Sequence, residues 1–148
     1  TLIFCFLYIL FLLISPNLSI AQDDEQIREI AVIVNAANKV EHLTSKQISE
    51  IFLSRRRTFP SGEPVVVLEH DWNSSLREKF FHMLNGMTLK RLNAYWVRLQ
   101  FSGEVQPPPI MPDNIAMRNA VSQNRNAIGY MPSEYVDQSV HVVLILKE

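Results

Sequence analysis

Short apolar runs alternate with segments of helical period along this chain, and that alternation constrains the fold more than any other feature. The runs are Glu29 to Asn35, Val65 to Leu68, Ala127 to Met131 and Val140 to Leu146. Each has the length of a strand, and each is too continuously apolar for one face to meet water. Between them lie helical stretches with one apolar stripe. A sheet with both faces covered follows, and the alternation points to an α/β fold with a mostly parallel sheet covered by helices.

The helix boundaries are written in cap chemistry. In Leu43-Thr44-Ser45-Lys46-Gln47-Ile48, the Thr44 hydroxyl can accept from the Gln47 N–H while the Gln47 side chain reaches back to the Thr44 N–H. Leu43 and Ile48 are placed to pack as a staple, and Ile48, Ile51 and Phe52 share a face before the helix stops near Ser54. Leu76, Phe80, Met83 and Leu84 form the next stripe, closed by Gly86, with Ser75 and Glu78 expected to form its capping box. Thr88 caps a third helix carrying Leu89, Leu92, Tyr95, Trp96 and Leu99, which ends at Ser102-Gly103. Pro107-Pro108-Pro109 is a stiff extended connector, and a short helix starts at Asp113 or Asn114 and runs through Val121. Phe80, Leu84, Leu92, Trp96 and Ile128 are the expected core.

Residues 1–21 read differently from the rest. Leu2 to Ile14 is uninterruptedly apolar and is followed by Ser15-Pro16-Asn17 and the small-residue pattern Ser19-Ile20-Ala21. That is the pattern of a secretory signal peptide cleaved after Ala21, and the run is short of the roughly 20 residues a spanning helix needs. Cleavage leaves residues 22–148, about 127 residues, the size of one domain. The 14 basic and 15 acidic residues give a net charge of −1, which argues against a nucleic-acid partner. Cys5, the single cysteine, lies in the leader, so the mature domain has no disulfide, thiolate metal site or cysteine nucleophile.

The segment Leu43 to Leu53 and the strand Asn126-Ala127-Ile128-Gly129-Tyr130, in this order, resemble the periplasmic phosphate-binding proteins of ABC importers, and most closely a subgroup of short, secreted, single-lobe relatives. The resemblance covers most of Ala31 to Leu146 and implies a single lobe of the type II periplasmic binding fold, with residues 22–148 as one such domain. Gly129 then marks a point where backbone or ligand comes close.

A strand leading through Glu69-His70-Asp71-Trp72-Asn73-Ser74-Ser75 into a helix is a natural anion site, because free N–H groups and the positive end of the helix dipole converge there. The resembled proteins carry Arg-Ala-Asp-Gly-Ser-Gly-Thr in the matching stretch. Laid on this chain, aspartate falls on Asp71, serine on Asn73, glycine on Ser74 and threonine on Ser75, so the resemblance implies these four as ligand-binding residues. Arginine falls on Glu69 and the first glycine on Trp72. A carboxylate in place of a guanidinium reverses an interaction of about 4 kcal/mol at about 4 Å. On this reading Glu69→Arg creates or strengthens phosphate binding.

The residues also support a plainer use, in which Asp71, Asn73 and Ser75 cap the following helix. Arg55-Arg56-Arg57 is the one basic cluster, able to serve an anion or a partner, or simply to face water. His42, His70, His82 and His141 lack metal-ligand spacing. No nucleophile elbow, His-Glu-x-x-His or Walker loop is present, and we expect neither an enzyme nor a cofactor. The resemblance implies a periplasmic solute-binding domain related to phosphate importers, with phosphate or another oxyanion as ligand and an ABC permease as partner. The alternative is a periplasmic interaction module that kept the lobe, lost the ligand, and contacts a membrane or signalling protein.

Overall fold

The computed structural model describes residues 27–148; the signal-peptide expectation and Cys5 fall outside the described residues. Four strands form one sheet in the order β2-β3-β1-β4, with β1 at Glu29–Asn35, β2 at Val66–Val67, β3 at Ala127–Pro132 and β4 at Val140–Lys147. Among the described residues four α-helices accompany it: α1 (Ser45–Phe52), α2 (Ser75–Asn85), α3 (Leu89–Ser102) and α4 (Asn114–Gln123).

The sheet is mixed, and this corrects the mostly parallel expectation. β1 runs antiparallel to both β3 and β4, and only β2 and β3 are parallel. Six consecutive β1 residues from Ile30 are buried. A strand covered on both faces reads as continuously apolar whichever way its neighbours run, so burial could not report direction.

The two faces of β1 divide the core by alternation. Ile30, Val32 and Val34 join Ile128 and Tyr130 under α1, α2 and α3, among Ile48, Phe52, Phe80, Leu92 and Trp96. Ala31 and Ile33 point the other way, with Ala127 and Met131, to Met117 and Val121 of α4. The five expected core residues are all buried.

Most of the caps lie where the residues put them. Thr44 and Gln47 form the full capping box of α1. Thr88 and Asp113 cap α3 and α4, and Gly86 and Gly103 take the left-handed conformation that closes α2 and α3. The cap of α2 is Ser74, whose hydroxyl oxygen accepts the Arg77 N–H at 3.1 Å, so the expected Ser75–Glu78 box does not form and the cap is a single bond from one residue earlier. The Asn35 amide donates to the Val121 and Ser122 carbonyls, tying the turn after β1 to the end of α4.

Gly129 is crowded by α4 itself: a Cβ there would collide with Met117 Sδ and stand 3.3 Å from Val121 Cγ2. At the other end, Glu29 lies opposite Lys147, their side chains pair at 2.9 Å, and the Glu148 N–H donates to the Arg28 carbonyl at 3.1 Å.

Candidate functional site

The turn between β2 and α2 is held by its own groups. Asp71 Oδ1 accepts the Asn73 N–H at 2.9 Å, and the Asp71 carbonyl accepts the Ser74 N–H at 3.0 Å. Asp71, Asn73 and Ser75 are exposed and Ser74 is half-buried. The four residues aligned with the anion-binding motif are therefore adjacent on one turn. Their geometry is that of an Asx turn followed by a serine cap, and three of the N–H groups an anion would use, those of Asn73, Ser74 and Arg77, are already engaged.

Beneath this turn lies a buried ion pair. Glu69 is 2% exposed and Arg77 is 1% exposed. Glu69 Oε1 accepts the His70 N–H at 2.9 Å and the Tyr130 hydroxyl, and Oε2 faces Arg77 Nε at 3.4 Å. Arg77 Nη1 donates to the Trp72 carbonyl at 3.0 Å and to Asn93 Oδ1 at 2.7 Å. The guanidinium lies 5.4 Å from the Trp72 ring centroid and 5.6 Å from that of Phe81. Trp72 is thus a half-buried cover over the cation, which is the reason a bulky ring stands where the motif has glycine.

Burial pushes the Glu69 carboxyl above its ordinary range, against the Tyr130 hydroxyl, the Arg77 charge and the His70 N–H, which all pull it down. The Tyr130 phenol is pushed well above 10.0 by burial and by Glu69. Burial also lowers His70, opposed by the Tyr130 carbonyl and by Asp113. The lowered pKa favours the neutral ring, and Nε2 lies 2.8 Å from the Tyr130 carbonyl, to which it donates. Tyr130 stacks on Phe80 with centroids 3.7 Å apart and meets Phe52 edge-on, so the polar group is anchored in an aromatic core.

Arg77 escaped the sequence reading, although a signal was present. It lies three, four and seven residues before Phe80, Phe81 and Leu84, on the face those residues bury. The partner of Glu69 is hence this arginine within α2, and the geometry argues against the expectation for Glu69→Arg, which would press a second guanidinium against a buried one. The triple-arginine loop is also committed. Arg55 stacks on Tyr95 at 5.6 Å, Arg56 faces Glu50 at 3.5 Å, and Arg57 Nη2 donates to the Glu104 carbonyl at 3.3 Å. Among the described residues no group of three His, Asp or Glu is arranged to hold a metal.

No protein-family model matches this chain and no curated protein does either; its likeness is to solved structures. The described fold is like that of about half the length of the phosphate ABC transporter substrate-binding proteins it matches. A phosphate-bound structure described as such a protein, from Clostridium perfringens, is 26% identical, with a TM-score of 0.62 over 79% of this chain and 45% of that one. An ABC-type phosphate transport receptor from Vibrio cholerae gives 20% identity and a TM-score of 0.61 over 79% and 46%. PstS from Borrelia burgdorferi gives 11% and 0.55 over 78% and 47%. The chain spans about half the length of each of these proteins.

Proposed function

We propose that this domain is a solute-binding-type lobe, exported by the Leu2 to Ala21 leader, that acts in the cell envelope by contacting a protein partner and not by capturing free phosphate. The observation that carries this reading is the Glu69–Arg77 pair. The cation at the start of α2 is buried, covered by Trp72 and already matched by a carboxylate of the chain itself. An arriving phosphate would have to displace that carboxylate and desolvate at once, against the cost of leaving Glu69 buried and unpaired. The likeness to transport receptors supports a role in binding over one in catalysis.

A second reading keeps a weak oxyanion contact at the exposed Asp71, Asn73, Ser74 and Ser75, where the α2 dipole is positive. Calorimetry of the protein against phosphate, sulfate and molybdate separates the two. We expect no saturable binding in the micromolar range and at most millimolar heats with phosphate. Micromolar phosphate binding would overturn the contact reading.

A further inference from the structure

The proline run opens a cleft along the sheet edge. Beyond β2, the chain from Pro109 to Met111 runs parallel to Glu69: the Glu69 N–H donates to the Pro109 carbonyl at 2.9 Å, and the Met111 N–H donates to the Glu69 carbonyl at 2.8 Å. Continued by one step, a parallel ladder would next require residue 109 to donate its N–H to the Val67 carbonyl. Residue 109 is proline and has no N–H, so the ladder stops there and the Pro107–Pro109 rail stands away from β2.

The gap is a cleft of about 470 Å³, in the size range of ligand sites. Val65, Val67, Trp96, Val105 and the prolines give it an apolar floor and wall, while Ser54, Arg57, Glu104 and Gln106 add polar groups to its lining. The inward hydrogen bonds of β2 go to β3, through the Val66 and Leu68 N–H groups. Below the cleft the Val65 N–H is used by the Arg57 carbonyl, and above it Glu69 is used by the rail. Between those two points Val67 turns its main-chain N–H and C=O outward, and among the described residues no main-chain group pairs with them.

We propose that this cleft binds an extended, apolar peptide segment of a partner protein, which adds a short strand to the edge at Val67. The main-chain groups of Val67 supply a donor and an acceptor that an added strand satisfies together, and the apolar part of the lining suits valine-like side chains. This names a surface for the partner contact proposed above and rests on that reading for its role.

The probe is acetyl-Ser-Val-Val-Val-Ser-amide, titrated into the protein while the Val67 amide resonance and Trp96 fluorescence are followed. We expect a saturable shift of the Val67 amide. N-methylation of the central valine of the probe should weaken binding at least about tenfold, the equivalent of about 1.4 kcal/mol. Pro109→Ala restores an N–H to the rail, lets it close on the Val67 carbonyl, and should weaken the unmodified probe by a similar factor. No shift at Val67, or equal binding of the N-methylated probe, would overturn the proposal, the latter by making the cleft a site for apolar solutes. The N-methyl comparison decides the matter even where Pro109→Ala does not fold. Phosphate calorimetry reads the contact reading separately, so either result can fail alone.

Discussion

Removing the Arg77 guanidinium while Glu69 remains would strand a carboxylate in a site that is 2% exposed. Arg77→Met should therefore lower stability by about 3–5 kcal/mol, and the double variant Glu69→Leu/Arg77→Met should recover much of the loss because both charges leave together. Denaturant midpoints of the two single variants and the double check this; additive losses would mean the pair is not coupled. His70 carries a second residue-scale expectation. Its folded pKa is held below the ordinary 6.5, so as pH falls below 6.5 the unfolded chain takes up a proton before the native state does. Stability from His70 is full above 6.5 and declines as pH falls from there through the lowered folded value. Glu69 contributes with the opposite sign, since its raised pKa favours the native state at acid pH. The stability difference between wild type and His70→Asn, measured from pH 4 to pH 8, isolates the histidine and should show this decline; a flat difference would refute it.

At the scale of elements, β3 and α4 touch through a missing side chain. Ile128 and Tyr130 face one core, while Ala127, Gly129 and Met131 face α4, and Met117 fills the space where the Gly129 side chain would be. Gly129→Ala should cost about 1–3 kcal/mol by overpacking. In the Gly129→Ala/Met117→Ala double variant the loss should be smaller than the sum of the singles, since the shortened residue 117 vacates the contested volume. Thermal midpoints of the three variants read this directly. That Gly129 marks a crowded point was legible in the sequence, but the neighbours are the Met117 and Val121 side chains of α4 and not the backbone or ligand expected.

The same contrast runs through the other elements. Thr44, Thr88 and Asp113 could be read as caps because a cap depends on residues within one turn. Ser74 was missed in favour of Ser75 because adjacent serines offer the same hydroxyl, and only the backbone path decides between them. Strand direction was illegible, as β1 shows the same buried run beside an antiparallel neighbour that a parallel one would give. Of the candidate site, the positions Asp71 to Ser75 were legible as a turn on a helix start. The ion pair beneath them needed the fold, because Glu69 and Arg77 meet only once α2 turns back over the end of β2.

Across the whole molecule, the sheet separates two apolar cores of unequal size, the larger under α1, α2 and α3 and the smaller under α4. The polar network at Glu69 sits where the larger core reaches the β2 edge, and the proline rail leaves that same edge on the outer side. Charge is thus closed inward while main chain is left open outward.

The pairing of Glu29 with Lys147, and of Arg28 with Glu148, brings the two ends of the described fold to one corner of the sheet. A unit whose ends lie together can be spliced into a surface loop of a host chain with little separation imposed on the loop's flanks. Any pull on both ends would load the β1–β4 ladder in an unzipping sense, making that corner the first place to yield under force.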